Sequence, residues 1–383
     1  MTKAATVVWG DGVDQLGVFI GKRRVGTLAL TPEGLAAFEY DGGWLRGGFS
    51  ISPYSLPLRA GVFMPEVEPF GRLFGVFQDS LPDGWGALLL DRMIREHGGD
   101  PARVSPMTRL AIVGSGGRGA LRYEPEIAQN APEQAMPDLD RLADECRRIL
   151  DDTPASGDLD ELYKLGGSSA GARPKAYVRV DGAPWLVKFP SSVDPPDVGT
   201  MEYAYSLAAG NCGIRMAPTR LFESRTCAGY FGSARFDRDA NGAGIHMVTA
   251  SGMLEVSHRL SLIDYGHLFQ VTRDITGDDP EQAWELYRVM CFNVFAHNQD
   301  DHSNNFAWLC ADGRWELSPA YDLTYSTSFG GEHSTTVGGH GNPGIDDVVD
   351  LAGDVGLPRS EALRAAREIE ARCKALLVEV GRG

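Results

Sequence analysis

Apolar residues in the first third of the chain occur in short bursts between glycines and prolines, a pattern that predicts strands and tight turns. Residues 16–20 and 25–30 flank Gly21-Lys22, as expected for a β-hairpin. The sequence Leu81-Pro82-Asp83-Gly84 is typical of a turn, and it predicts the start of a helix over residues 85–95.

Apolar residues recur at helical spacing over 139–150, and the polar segment 151–157 follows them. We therefore expect two domains, residues 1–155 and residues 156–383. In the second domain the pattern predicts two strands and four helices, over residues 175–180, 185–189, 201–209, 283–297, 346–355 and 360–379.

Composition excludes several classes of protein. With 383 residues, 43% of them hydrophobic, the chain can bury sizeable cores, so it is neither disordered nor a disulfide-dependent miniprotein. A formal net charge of -16 disfavours direct binding to nucleic acid or to an anionic membrane. The six cysteines form no C-x-x-C pair, so reduced thiols are expected. No apolar run approaches the roughly 18 residues of a membrane span, which predicts a soluble, cytoplasmic protein.

One glycine-rich segment, Gly114 to Gly119, matches the dinucleotide-binding pattern G-x-G-x-x-G. That interpretation requires a helix beginning at the loop, whereas Ala120 to Pro125 alternates like a strand and contains an early proline. We therefore interpret the segment as a connection between two strands.

A stronger pattern lies in Asn298 to Phe306, where Asp300 and Asn305 have the D-x-x-x-x-N spacing of a phosphotransferase catalytic loop. A carboxylate there orients or deprotonates the substrate hydroxyl, and the amide oxygen five residues later can bind Mg²⁺. Asp322 follows a short predicted strand and is a candidate second metal ligand. The alternative is an exposed polar loop with an unrelated turn aspartate.

Further upstream, the remaining parts of a phosphotransferase occur in the expected order. Gly166 to Gly171 is a glycine- and serine-rich loop that can offer backbone N–H groups to phosphate oxygens, although it lacks the lysine of a Walker P-loop. Lys188 lies in a predicted strand, and Glu202 begins the next helix, where it is a candidate ion-pair partner or merely a favourable first-turn acid. His302 is a nucleotide contact or a loop histidine.

Six ordered segments carry a resemblance to a known family: 77–86, 119–125, 168–175, 235–238, 300–306 and 319–323. They resemble motifs of HipA, the serine/threonine-kinase toxin of bacterial type II toxin–antitoxin systems. The resemblance implies an α+β, two-lobed, protein-kinase-like fold with a HipA-type N-terminal subdomain and a mostly helical C-terminal lobe. It also implies ATP and Mg²⁺, a protein substrate such as an aminoacyl-tRNA synthetase, and a HipB-like helix-turn-helix antitoxin through which DNA is contacted indirectly.

Matching positions give each candidate residue an implied role. Asp300 is the catalytic base, Asn305 and Asp322 are the magnesium ligands, and Ser168 is the autophosphorylation site, with Ser169 as the alternative. The residues implied to bind ATP are Ala170, Gly171, Ala172, Arg173, Pro174, Lys175, Lys188, Glu202, Gly232, Ser233, Ala234, His302, Ser303, Asn304, Asn305, Tyr321 and Asp322.

The sequence departs from the family pattern at three places: Arg173-Pro174 in the loop, Ala234 before Arg-Phe-Asp-Arg, and Asp301, which adds a carboxylate beside Asp300. Two other functions remain open. One is a small-molecule kinase of the aminoglycoside- or choline-kinase type, whose acidic cleft would suit cationic substrates. The other is a non-catalytic module that binds a repressor.

Overall fold

The computed structural model describes residues 12–127, 136–152, 159–167, 169, 171–260, 263–328 and 330–377. The chain divides into two compact units. Unit 1 comprises Met1–Val193 with Asp237–His246, and unit 2 comprises Asp194–Phe236 with Met247–Gly383. The predicted domain boundary after residue 155 lies outside the described residues and stays a prediction.

Unit 1 contains a five-stranded antiparallel sheet in the order β4-β3-β2-β1-β5. Its strands are β1 Gln15–Ile20, β2 Arg23–Leu30, β3 Ala36–Tyr40, β4 Val62–Phe63 and β5 Leu121–Glu124. The first two form the predicted hairpin, in which Ile20 pairs with Arg23. Alternate residues such as Leu16 and Val18 are fully buried, because successive side chains of a strand point to opposite faces.

Besides the sheet, the described part of unit 1 contains six α-helices and a second β-hairpin. The helices are α1 Gly42–Leu45, α2 Gly75–Gln78, α3 Trp85–Glu96, α4 Pro106–Val113, α5 Leu139–Leu150 and α6 Leu159–Leu162. A short 3-10 helix, Pro101–Arg103, and a π-helical turn, Tyr163–Gly167, complement them, and the hairpin consists of β6 Lys175–Val180 and β7 Ala183–Lys188. The predicted helix over 85–95 is confirmed, as are the predicted helix over 139–150 and both strands, although Lys188 ends its strand rather than lying within it.

Unit 2 is mainly helical. Its helices are α7 Val198–Asn211, α8 Ala250–Leu254, α9 Tyr265–Thr276, α10 Pro280–Phe295, α11 Ile345–Asp354 and α12 Arg359–Leu376, and Ser303–Asn305 forms a 3-10 turn. Its strands are β8 Thr219–Phe222, β9 Tyr230–Ala234, β10 His246–Thr249, whose first residue belongs to unit 1, β11 Ala307–Ala311 and β12 Arg314–Leu317. The last three form one sheet in the order β10-β11-β12. The helices predicted in this half of the chain are confirmed; residues 378–379 of the last one lie outside the described residues.

The core of unit 2 forms around α10, which is buried along most of its length. The Tyr287 hydroxyl donates to the carbonyl oxygen of Ala362 in α12, at 3.0 Å. The indole N–H of Trp308 in β11 donates to the Thr272 hydroxyl of α9, at 3.1 Å. These bonds satisfy the polar atoms of large side chains that would otherwise be costly to bury.

The element that precedes the glycine-rich segment Gly114 to Gly119 differs from our interpretation. A strand follows it, as predicted, but helix α4 precedes it, so it does not connect two strands. The helix begins because the Ser105 hydroxyl caps it by accepting from the Thr108 N–H, at 3.1 Å. No helix begins at the loop, so the dinucleotide-binding interpretation is excluded.

The atoms of this loop are bound by a neighbouring ion pair of unit 1. The Arg238 guanidinium donates to the carbonyl oxygens of Gly117 and Gly119, at 3.0 and 2.7 Å. The Asp237 carboxylate accepts from the Gly119 N–H, at 2.9 Å, and pairs with Arg238 at 2.8 Å. Asp237-Arg238, the end of the Arg-Phe-Asp-Arg motif, therefore has a structural role in unit 1.

All six cysteines are free thiols. In the described part of the chain, no helix combines the length and the apolar character needed to cross a membrane.

Candidate active site

Asp300 lies in the loop between α10 and β11 of unit 2, and its side chain is 61% exposed. The Asn305 side-chain amide donates to the Asp300 carbonyl oxygen, at 2.8 Å. This bond joins the two residues of the D-x-x-x-x-N pattern and fixes the orientation of the Asn305 amide group. Because its nitrogen is used as a donor, the amide oxygen of Asn305 is left as the acceptor that a cation would bind.

The Asp301 side chain is fully buried, whereas that of Asp300 is mostly exposed. Its carboxylate accepts from the Tyr265 hydroxyl at 2.9 Å and from the Thr335 N–H at 3.2 Å, and it lies 3.0 Å from His333 Nδ1. The Thr335 hydroxyl also donates to the Asp301 carbonyl oxygen, at 2.5 Å. The expected second carboxylate beside the first is therefore wrong as a feature of the site, because Asp301 anchors the loop from behind.

Tyr265 completes this anchor. Burial, together with the negative charge of Asp301, raises the pKa of Tyr265 well above its usual value of 10.0. The phenol therefore stays protonated and keeps donating to Asp301, while it accepts from the Asn293 amide at 2.9 Å. The catalytic loop is thus tied to both α9 and α10.

His302 faces Asp300. Its Nδ1 accepts from the Asn304 N–H at 3.3 Å, so the neutral ring carries its proton on Nε2, which lies 3.9 Å from Asp300 Oδ1. The ring of His258 lies 5.5 Å away from that of His302, measured between centroids. Ser303 is buried in the 3-10 turn that follows.

Tyr321 connects the segment of Asp322 to the catalytic loop, because its hydroxyl donates to the Asn304 carbonyl oxygen at 2.6 Å. The Tyr321 ring lies 5.4 Å from the ring of Phe236. Asp322 itself is half-buried and has a φ of +55°, a backbone conformation that aspartate and asparagine tolerate better than most residues. Unit 2 thus brings Asp300, His302, Asn304, Asn305 and Tyr321 together.

The predicted adenine hinge lies at the end of β9. Ser233 pairs with Thr219 of β8, and the Ala234 N–H donates to the Pro218 carbonyl oxygen at 2.8 Å. Two residues later Phe236 reaches the ring of Tyr321. Gly232, Ser233 and Ala234 are therefore in the same unit as the catalytic loop, and their contact with adenine stays a prediction.

The nucleotide loop belongs to unit 1, and Ser168 and Ala170 lie outside its described residues. Gly166 and Gly167, predicted to begin this loop, belong instead to the π-helical turn. Ser169 is 1% exposed, and its hydroxyl donates to the Gly166 carbonyl oxygen at 2.5 Å.

The loop leads into β6, where Lys175 and Lys188 pair directly across the ladder. Pro174 extends this pairing, since its carbonyl oxygen accepts from the Phe189 N–H at 2.8 Å. Arg173 is half-buried and Ala172 is exposed. Lys175 is buried and Lys188 is half-buried, so two cationic side chains lie at the same end of the hairpin.

Glu202 is the fifth residue of α7 and only 3% exposed. A glutamate buried beyond the first turn is not explained by the helix dipole, which acts within that turn. Lys188 and Glu202 belong to different units, and their ion pair stays a prediction.

Among the described residues, no group of three or more His, Cys, Asp or Glu side chains could hold a metal ion. The predicted magnesium ligands are of a different type, one amide and one carboxylate. The oriented amide oxygen of Asn305 and the half-buried Asp322 fit a hard cation that takes its other ligands from phosphates and water.

Four residues that support or adjoin this site were not singled out from the sequence: Phe236, His258, Tyr265 and His333. Phe236 had a signal, because it belongs to the Arg-Phe-Asp-Arg motif. The other three have no local pattern and are recognised only from the fold.

Comparison with known proteins identifies the family. The HipA N-terminal domain matches residues 16–124, and the HipA-like C-terminal domain matches residues 167–377. The chain therefore belongs to the HipA family, as its motifs predicted.

The fold agrees with a solved structure of HipA from the Shewanella oneidensis MR-1 toxin–antitoxin system, in complex with HipB and operator DNA. The TM-score is 0.72 at 18% identity, covering 95% of this chain and 90% of that one. The predicted α+β, two-lobed, kinase-like fold of the HipA type is confirmed.

The Helicobacter pylori proinflammatory kinase CtkA aligns with a TM-score of 0.35 at 10% identity, over 54% of this chain and 92% of that one. This TM-score is too low to support a conclusion. The search of curated proteins found no match.

Proposed function

We propose that the chain is a HipA-type toxin that acts as a serine/threonine protein kinase and transfers the γ-phosphoryl group of ATP to a protein. The observation that carries this proposal is the geometry of the catalytic loop. Asp300 is exposed to a substrate, while Asn305 is fixed on its carbonyl oxygen and Tyr321 is fixed on Asn304.

In this reaction the Asp300 carboxylate accepts the proton of the attacking hydroxyl, and ADP leaves from the opposite side of the transferred phosphorus. The Nε2–H of His302 lies near Asp300 and helps to orient the carboxylate or a phosphate oxygen. The Asn305 amide oxygen and Asp322 would hold Mg²⁺, which when bound neutralises charge on the phosphates.

The paired lysines of unit 1 support nucleotide binding. Lys175 is 5% exposed and directly opposite Lys188, so this end of the hairpin carries two positive charges that would attract the phosphates of ATP. Backbone N–H groups of Gly171, Ala172 and Arg173 would bind the same phosphates, whereas Pro174 has no N–H to donate. Glu202, Gly232, Ser233, Ala234, Ser303 and Asn304 complete the proposed nucleotide contacts.

Membership of the HipA family supports a proposal for the biological role. We propose that an aminoacyl-tRNA synthetase is a candidate substrate, that its phosphorylation arrests translation, and that a HipB-like antitoxin neutralises the chain. The solved Shewanella HipA with HipB and operator DNA supports such a partner.

The experiment that tests this function is incubation with γ-labelled ATP and Mg²⁺, using wild type and Asp300→Ala, followed by phosphopeptide mapping of a bacterial lysate. We expect labelled Ser or Thr residues with wild type only. Label that persists with the variant would refute Asp300 as the base. Label found only on small molecules would favour the aminoglycoside- or choline-kinase alternative, and no label at all would favour a non-catalytic module.

A further inference from the structure

The turn before α3 touches the nucleotide loop, although the two segments are far apart in the sequence and lie in the regions that match different HipA domains. The Trp85 N–H donates to the Gly171 carbonyl oxygen, at 3.0 Å. Both residues belong to unit 1. This bond satisfies one of the N–H groups that the first turn of a helix leaves without an intrahelical partner.

Gly84 makes this approach possible. Its φ of 50° and ψ of -112° are accessible to glycine alone, and a Cβ there would lie 2.6 Å from the Gly171 carbonyl oxygen and 2.9 Å from the Ala172 Cα. Both nearest atoms belong to the backbone of the loop, so the clash cannot be relieved by rotating a side chain. Any residue larger than glycine at position 84 must displace the loop.

The described residues of the loop are packed from the other side as well. A Cβ on Gly166 would lie 2.0 Å from the Lys175 carbonyl oxygen, and a Cβ on Gly171 would lie 2.7 Å from Lys175 Nζ. The Gly171 backbone has a φ of +91°. Gly166 and Gly171 are therefore packed against Lys175 at the start of β6, and Gly171 also contacts the turn at Gly84.

We propose that the turn Leu81 to Trp85 holds the nucleotide loop in its ATP-binding conformation, with Gly84 as the positioning residue. In a trans peptide the C=O and N–H groups point in opposite directions. Because Trp85 fixes the Gly171 carbonyl, the Ala172 N–H is directed away from α3, towards the side where a phosphate oxygen can accept from it. This inference rests on the proposed function, because it assigns the conformation of the ATP-binding loop.

The test compares Gly84→Ala with Gly98→Ala, at opposite ends of α3. Gly98 also has a positive φ, of 79°, but a Cβ there would meet nothing within 4 Å. The control therefore also places an alanine at a positive φ, but without the contact. We expect the KM for ATP to rise about tenfold or more in G84A and to stay near the wild-type value in G98A. Hydrogen exchange of the peptide 163–175 should be faster in G84A only.

A milder variant keeps the test decisive if G84A does not fold. The Asp83 carboxylate accepts from the Gly84 N–H at 2.7 Å, so Asp83→Ala loosens the turn without adding a clash. We expect it to raise the KM for ATP severalfold and to speed exchange in the same peptide.

The outcomes separate this inference from the proposed function. Equal KM and equal exchange in G84A, G98A and an active wild type would overturn the positioning role and leave the kinase function intact. A wild type that does not bind ATP would refute the kinase function instead. The exchange measurement needs no nucleotide, so it would still decide whether the turn holds the loop.

Discussion

Two adjacent aspartates show how burial separates the roles of identical side chains. Asp300 is 61% exposed, whereas Asp301 is fully buried and accepts from Tyr265 and Thr335. The first is therefore available to a substrate. The second stabilises the loop that carries the first.

Substituting alanine for Asp301 should mainly lower stability, whereas substituting alanine for Asp300 should mainly abolish activity. Asp301→Ala leaves buried donors without an acceptor, and we expect it to lower the free energy of unfolding by about 3 kcal/mol. Asp300→Ala should change that free energy by less than about 0.5 kcal/mol while abolishing phosphoryl transfer. Urea unfolding and labelled-ATP assays on both variants make the comparison. Equal loss of stability in the two would contradict this division.

Asp322→Asn tests the second metal ligand. Asparagine tolerates the positive φ of this position, so the fold should stay intact and the melting temperature should not change. Loss of the negative charge should lower kcat at least about a hundredfold and raise the Mg²⁺ concentration needed for half-maximal activity. A melting temperature that falls in proportion to activity would show that the residue is structural.

Local spacing explains which site residues could be predicted from the sequence. Asp300 and Asn305 lie five residues apart and bind each other, so their relation is visible in the chain itself. The partners of Asp301 lie 36 residues before it and 32 residues after it, in Tyr265 and His333. No pattern along the chain reports such contacts, and Asp301 was accordingly misplaced beside Asp300.

Elements with long periodic patterns were predicted well, and short apolar runs were not. Helix α10 has enough turns for its apolar spacing to identify it. The run Leu110 to Val113 is too short to distinguish a strand from a helix, and the deciding signal was the capping Ser105 with Pro106 after it. The glycine- and serine-rich pattern predicted the nucleotide loop, but it gave no signal for the contact between Trp85 of the α3 turn and Gly171, which is remote in sequence.

Within the nucleotide loop, Ser168 rather than Ser169 should be the autophosphorylation site. The Ser169 hydroxyl is buried and already donates to Gly166, whereas a phosphoryl acceptor must reach the active site. We expect mass spectrometry after incubation with ATP to find phosphate in S169A and none on this loop in S168A. Phosphate at Ser168 adds about -1.5 to -2 charges and should weaken ATP binding. Phosphate on Ser169 alone, or unchanged ATP affinity in the phosphorylated protein, would contradict this role.

Strand β10 begins with a histidine that makes stability depend on pH. Burial lowers the pKa of His246 to about 4 from 6.5, and its Nε2 lies 2.8 Å from the Ile51 carbonyl oxygen. Between these two pKa values the unfolded chain binds a proton that the folded protein does not. The contribution of neutral His246 to the free energy of unfolding is therefore complete above pH 6.5, and it declines as the pH falls towards 4.

The matching variant is His246→Gln, which keeps a donor for Ile51 but cannot be protonated. We expect the loss of unfolding free energy between pH 7.5 and pH 5 to be about 2 kcal/mol smaller in H246Q than in wild type. His340→Gln, at a side chain that is 66% exposed, serves as the control. The same pH dependence in H246Q and wild type would show that His246 is not the source.

On the scale of the whole molecule, the charge of the chain limits what it can do alone. A net charge of -16 opposes approach to DNA, while the solved HipA of similar fold is found with HipB and operator DNA. The sequence predicted the family and the fold from six ordered motifs. It did not predict that the nucleotide loop and the β6–β7 hairpin form one compact unit with the N-terminal region, because that grouping depends on contacts between distant segments.

We expect this chain to reach DNA only through a basic partner. Direct binding would require lysines and arginines to replace the counterions of the DNA, and even basic proteins bind non-specifically with dissociation constants of about 10⁻⁴–10⁻⁶ M at physiological salt. Fluorescence anisotropy with a labelled duplex from the promoter of its own operon, at about 150 mM salt, should therefore show no binding by the chain alone at 10 µM. Adding a HipB-like helix-turn-helix protein encoded in the same operon should produce a complex that contains both proteins and the duplex. Nanomolar binding of the duplex by the chain alone would overturn this expectation and assign the DNA contacts to its own surface.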